Sequence, residues 1–166
     1  MDRTITLRPI ADADLDLLYR VYADTRADEL AQTNWDDAHR SAFLRQQFDA
    51  QHQHYMQHYA SASFDLIQLN GEAVGRLYVA RWANEMRIVD IALLGAYRGH
   101  GIGEALLKDI LAEGQRRGVP VTIHVERFNP ALRLYERLGF RMAEDKGVYL
   151  FLQWSPMPVE SVTHVG

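Results

Sequence analysis

Between residues 86 and 117 the hydrophobic period of the chain changes abruptly, and glycines mark the place. "MRIVDIALL" is apolar and β-branched, as a strand is; "YRGHGIGEALL" then sets Gly99, Gly101 and Gly103 at every second position; a helical pattern continues to about Arg117. Strand, glycine turn and helix in direct succession restrict the chain to mixed α/β architectures in which this turn joins sheet to helix. The turn also has chemical consequences. The first amides of a helix lack acceptors, the helix dipole adds positive potential there, and glycine lets a ligand approach the backbone, so the arrangement suits an anion. Arg98 supplies a cation beside it. The alternative is a tight turn that binds nothing. Two nucleotide motifs are excluded: the sixth residue counted from Gly99 is Glu104 and from Gly101 is Leu106, so G-x-G-x-x-G is absent, and Gly103 is followed by Glu104-Ala105 rather than by Lys and Ser or Thr.

On either side, strands and helices alternate. "RTITLR" (3–8) has strand periodicity before Pro9, and Asp12 or Asp14 is placed to cap a helix carrying Leu15, Leu18, Tyr19 and Tyr22 on one stripe. A second helix is expected from about Asp36 to Tyr59, with Leu44, Phe48, Gln51 and Tyr55 on one face and a composition polar enough to predict partial burial. "FDLIQL", Asn70-Gly71 and "AVGRLYVARW" predict a hairpin with a tight turn. Beyond Gly118, which stops the long helix, come a strand "VTIHVE", a short helix "PALRLYERL" stopped by Gly139, and two strands around Asp145 to Gly147. The predicted order is β-α-α-β-β-β-α-β-α-β-β. A length of 166 residues suits one domain, placed at 1–154, and 155–166, with two prolines and no periodicity, reads as a loose tail.

Charge and composition narrow the partners. A net charge of -4 gives no basic field for nucleic acid or an anionic membrane. The absence of cysteine excludes disulfides, thiolate nucleophiles and cysteine zinc sites. "MDRTITLRPI" lacks the apolar region of a signal peptide, and no stretch approaches the roughly 20 apolar residues of a membrane span, so the expected location is cytoplasmic.

Arg98-x-x-Gly101-x-Gly103 resembles the R/Q-x-x-G-x-G/A loop of the GCN5-related N-acetyltransferase (GNAT) superfamily. "NPALRLYERLGF" (129–140) is similar to the N-x-x-A-x-x-L-Y-E-K-x-G-F segment of the same family, at the family's spacing. The close match covers about 86–140; residues 1–62 share only the element order. The resemblance implies a mostly antiparallel central sheet of six to seven strands flanked by about four helices, with the fourth and fifth strands splayed. It implies acetyl-CoA as cosubstrate, an amine acceptor, no metal and, as often in this family, a homodimer. The pyrophosphate would lie on the amides of Gly99, His100, Gly101, Ile102, Gly103 and Glu104 beside Arg98. Main-chain groups of Ile91, Ala92 and Leu93 would meet the pantetheine arm and the thioester carbonyl, and Asn129 the pantetheine region. Many relatives carry proline where this chain has Gly95.

Spacing alone makes Asn129 a helix cap, Pro130 the first helical residue, and Tyr135 part of the apolar stripe Ala131, Leu134, Tyr135 and Leu138, a core tyrosine. The resemblance instead makes Tyr135 the general acid that protonates the departing CoA thiolate, which a phenol of reference pKa about 10 can do at neutral pH. A base must take the amine's proton. His124 is the first candidate, occupying the slot five positions before the motif Asn where some relatives carry a carboxylate, and imidazole titrates near working pH. Asp90 and Glu126 are the alternatives; each of the three has a purely structural reading as well. His54 and His58 sit at metal-ligand spacing, but no third ligand accompanies them, and a polar face lining an acceptor cleft is the other reading. Arg26 and Glu29 lie where the family builds acceptor specificity, and Arg116 and Arg117 suit a helix C-terminus. A non-catalytic acyl-CoA sensor and a transferase for a longer acyl-CoA remain as rivals to an acetyltransferase.

Overall fold

The computed structural model describes residues 3–158, so the expected tail lies mostly outside the described residues; within it, the Met157 main chain exchanges two hydrogen bonds with the Gln115 side chain, at 2.9 and 3.0 Å. The elements are β1 (Ile5–Pro9), α1 (Leu15–Ala31), α2 (Asp37–His58), β2 (Ser63–Leu69), β3 (Glu72–Arg81), β4 (Met86–Leu93), α3 (Ile102–Arg117), β5 (Val121–Glu126), α4 (Leu132–Arg137), β6 (Arg141–Asp145) and β7 (Tyr149–Trp154). The order is the predicted one. A seven-stranded sheet runs β1-β2-β3-β4-β5-β7-β6. The ladders β1–β2, β2–β3, β5–β7 and β6–β7 are antiparallel, and β4–β5 is parallel. That parallel ladder joins Met86–Ile88 to Val121–Ile123 and stops, although β4 continues to Leu93 and β5 to Glu126. The two strands are therefore splayed, as the resemblance implies.

The residues group into two compact units, one up to Ala80 together with Val89–Gly103, the other Arg81–Ile88 together with Glu104 onward. In the first, Leu18, Tyr22, Phe48 and Leu66 form a buried cluster joined by Ile10, Leu15, Tyr19 and Leu44, which is where the apolar stripes of α1 and α2 converge. Phe48 is the one fully buried residue of α2, in keeping with its polar composition. The β2–β3 turn has Asn70 at φ 52° and Gly71 at φ 85°, the pair of left-handed residues that a two-residue hairpin turn requires. Asp36 caps α2 by accepting the His39 amide at 2.7 Å. Asp14 does not cap α1: its own backbone is already helical, and its carboxylate turns back to the Ala11 amide and to Arg8.

In the second unit, α3 lies close against β5 and β7. A side chain on Gly114 would stand 2.9 Å from Val121 and 3.1 Å from Trp154, so only glycine permits this approach. Arg81 clasps Glu113 through two hydrogen bonds. Arg117 meets Glu113 and the Trp82 carbonyl instead of capping its own helix. Gly118 and Gly139, at φ 67° and 104°, end α3 and the last turn of α4.

Candidate active site

The glycine turn has the geometry that an anion site needs. After β4 a single 3₁₀ turn, Gly95–Tyr97, leads to Arg98 in extended conformation. Gly99 and Gly101 then adopt φ 77° and 82°, where a side chain is strained, and α3 begins at Ile102. Ile102 is buried and pins the helix start, leaving the first amides without intrahelical acceptors. Gly103 has ordinary φ. Nothing lies within 4 Å of where a Cβ on Gly99 or Gly103 would be, so among the described residues no side chain fills those places. His100 is exposed. The Glu104 carboxylate is held by Lys108 at 3.1 Å and Arg137 at 2.7 Å, and these cations keep it below the usual carboxylate range. Its negative charge at the helix start is thereby offset.

The end of β4 is fixed by a close approach. A Cβ on Gly75 would stand 2.3 Å from the Ala92 carbonyl oxygen, so β3 needs glycine there for the Ala92–Leu93 peptide to keep its position. The Leu94 amide donates to Val74 O at 2.8 Å. Ile91, Ala92 and Leu93 are half-buried. The Gly95 amide donates to Asp24 Oδ2 at 2.9 Å, a bond that the proline of many relatives could not make. Arg98, placed beside the anion by the motif, has its Nε donating to the Leu93 carbonyl at 3.1 Å.

Asp90 belongs to a buried polar cluster that sequence reasoning missed. Its Oδ2 accepts from Tyr55 Oη at 2.8 Å and from Arg76 Nη2 at 2.9 Å; Nη2 also donates to Gln51 Oε1 at 2.8 Å. The Arg76 side chain is only 3% exposed and Asp90 13%. Burial lowers the guanidinium's pKa, but the Asp90 carboxylate, together with Tyr78 and Tyr55, outweighs it and holds Arg76 charged. Burial, then the Asp90 charge, pushes the Tyr55 phenol far above its ordinary value. Tyr78, on the same face of β3, packs edge-on against Tyr55, and its Oη and Arg76 Nε are buried without a hydrogen-bond partner. Arginine at the middle of "AVGRLYVA" was the available signal: a charge inside an apolar strand demands a buried counter-ion. Both donors share the one oxygen, Oδ2, of the Asp90 carboxylate.

In the second unit, His124 and Glu126 alternate with buried Ile123 and Val125 on β5. The His124 ring lies 4.6 Å from the Phe151 ring, and Lys146 Nζ stands 3.3 Å from its Nε2. Desolvation first, then Lys146 and Arg87, lower its pKa below 6.5, so the neutral ring prevails near pH 7. Lys146 is a neighbour that spacing could not supply. Asn129 Oδ1 accepts the Ala131 amide at 2.8 Å, but the turn from 129 to 132 is too tight for α-helix and α4 starts at Leu132, two residues after Pro130. Tyr135 is 4% exposed, edge-on to Phe140 at 5.6 Å. His54 and His58 stack at 4.2 Å, and among the described residues no group of three or more metal-binding side chains gathers around them or elsewhere. No helix there is long and apolar enough to cross a membrane.

Several known proteins share this fold. Mycothiol acetyltransferase from Corynebacterium glutamicum is 38% identical over 84 residues, 47% of this chain and 28% of that protein, so the match spans under a third of the relative. Among solved structures, the PaiA N-acetyltransferase of Thermoplasma acidophilum in complex with coenzyme A superposes with a TM-score of 0.70 at 17% identity, covering 92% of this chain and 99% of that one. The ribosomal-protein-S18-alanine N-acetyltransferase of Escherichia coli gives 0.60 at 20% identity, covering 97% and 100%. Likeness at such identities is one of fold. The sequence itself matches the Acetyltransferase (GNAT) family over residues 18–140, most of the chain. With the splayed strands and the glycine turn in place, the chain belongs to the GNAT family of acetyltransferases.

Proposed function

We propose that this protein moves an acetyl group from acetyl-CoA directly to the primary amine of a small molecule or peptide. The observation that carries the reading is the turn from β4 into α3, where two left-handed glycines lead to the helix start at buried Ile102, no side chain of the described residues stands at the Gly99 or Gly103 positions, and a guanidinium, that of Arg3, lies against Gly101, so that the first amides suit a diphosphate. Main-chain groups of Ile91, Ala92 and Leu93 meet the pantetheine arm and the thioester carbonyl, in the manner of an added strand. Asn129 serves the pantetheine region. The amine nitrogen attacks the thioester carbon, the new C–N bond forms as the C–S bond breaks, and Tyr135 gives its phenolic proton to the thiolate.

His124 is the first choice to take the amine's proton, because its lowered pKa keeps it neutral. Lys146 must leave Nε2 before that lone pair is available. Asp90, shared by Arg76 and Tyr55, ranks second, and Glu126, on the same face of β5 as His124, is the third. A cytoplasmic location belongs to the same reading and is supported by a chain without cysteine. The test is thiol release from acetyl-CoA across a panel of amines, with wild type and Tyr135→Phe. Release is expected with at least one amine, and Tyr135→Phe should lower kcat about a hundredfold or more. Binding of CoA without release would make the protein an acyl-CoA sensor, and equal kcat for both proteins would remove Tyr135 from its role.

A further inference from the structure

Arg3 precedes β1, yet it reaches the glycine turn. Its Nη1 donates to the His100 carbonyl oxygen at 2.5 Å. Both terminal nitrogens lie 3.7 and 3.8 Å from the point where a Cβ on Gly101 would be, and no other atoms come within 4 Å of that point. The guanidinium is thus laid over the Gly101 position of the turn. Among the described residues no carboxylate is paired with it. Of its five N–H groups, the His100 carbonyl uses one. Arg98, the cation that the sequence motif supplies, is engaged elsewhere: its Nε is bonded to Leu93 O, and its Nη1 stands 4.0 Å from the Cβ position of Gly95, whose amide is bonded to Asp24.

We propose that Arg3 is the cation of the diphosphate subsite, closing over the loop amides, and that Arg98 acts instead as a clasp for the end of β4. The inference rests on the acetyl-CoA reading above. A planar guanidinium matches phosphate oxygens with two parallel donors, and the amides after Gly101 face the same ligand from the helix side. One anion is then held between a side-chain charge and the fixed dipoles of the helix start. Glycine at 101 is required by the turn, because a side chain at its φ of 82° would be strained.

The experiment is calorimetric titration of the full chain with CoA and with 3′-dephospho-CoA, comparing wild type, Arg3→Gln and Arg98→Gln at low and high salt. Arg3→Gln should weaken both ligands about tenfold, as loss of a charged hydrogen bond does. The loss should shrink between about 0.05 and about 0.5 M salt, since exposed charges are screened. Arg98→Gln should lose less, without that salt response, and the unliganded Arg3→Gln protein should melt with wild type. Unchanged affinity in Arg3→Gln overturns the assignment. So does a loss confined to CoA, which would put Arg3 on the 3′-phosphate, and so does a loss indifferent to salt, which would make Arg3 a shaper of the loop. A larger effect at Arg98 reverses the proposed roles. Wild type that binds neither ligand at millimolar concentration would overturn the acetyl-CoA reading and this inference together, whereas normal wild-type binding with an unaffected Arg3→Gln overturns this inference alone.

Discussion

Asp90→Ala would leave Arg76 as a buried cation with Gln51 as its remaining hydrogen-bond partner on Nη2. The Arg76 side chain is 3% exposed and its Nε is already without a partner, so the guanidinium cannot recover its solvation by a small movement. Breaking a buried pair from one side costs about 3–5 kcal/mol. Because Asp90 is 13% exposed and its removal admits some water, the lower end, about 3 kcal/mol, applies. For a chain of this size that is a fall in Tm of about 6–12 °C. Tyr55 loses its acceptor in the same variant, so the damage extends to α2. The companion variant, Arg76→Met with Asp90→Leu, removes both charges and should lie within about 2 kcal/mol of wild type, since apolar pairs of similar volume replace buried ion pairs at little cost. Urea unfolding monitored by circular dichroism supplies both values, and adding the Arg76→Met and Asp90→Leu single variants completes the double-mutant cycle that isolates the coupling. If Asp90→Ala costs under about 1 kcal/mol, or the double variant is as unstable as the single, the claim that Arg76 is held by Asp90 is wrong.

Two further substitutions test the site. Gly95→Pro installs the residue that many relatives carry, and Leu94, at φ -57° and ψ 145°, already suits a following proline. The change nevertheless removes the donor bonded to Asp24, worth about 1.5–3 kcal/mol, against an entropic gain of about 0.4–1 kcal/mol, so the protein should lose about 1 kcal/mol in urea; a gain would refute the role of that bond. If His124 is the base, the rate falls as pH drops through its pKa, because the imidazolium cannot accept a proton, and the midpoint lies below 6.5. Lys146→Met removes a cation that depresses that pKa, so the acidic limb of kcat should move up towards 6.5; a limb that stays in place means that another group titrates.

What could be read from the sequence was local. The turn at Gly99–Gly103, the Asn70-Gly71 hairpin and the stops at Gly118 and Gly139 each follow from backbone conformations that few residues other than glycine adopt, so a few adjacent letters suffice. The helix stripes were legible for the same reason, being set by a period of 3.6. What escaped notice depends on residues far apart in the chain. The Asp90 cluster draws on α2, β3 and β4, with Tyr55 separated from Asp90 by 35 positions. Arg3 and His100 are 97 apart, and no periodicity connects them. Even nearby, competition defeated the simplest rule: Asp14 could cap α1, yet the Ala11 amide and Arg8 offered its carboxylate more hydrogen bonds. At Asn129-Pro130 the cap forms as its residues suggest, but a tighter turn intervenes before α4.

Whether the glycine turn grips a diphosphate is read most directly by an amide-resolved NMR titration of the unliganded protein with CoA. The largest shifts are expected at the backbone amides of Gly99 to Glu104, with a parallel response at the Arg3 side chain, and little change when pantetheine, which lacks the diphosphate, replaces CoA. Saturating CoA that leaves those amides unmoved, or pantetheine that shifts them equally, would contradict that grip.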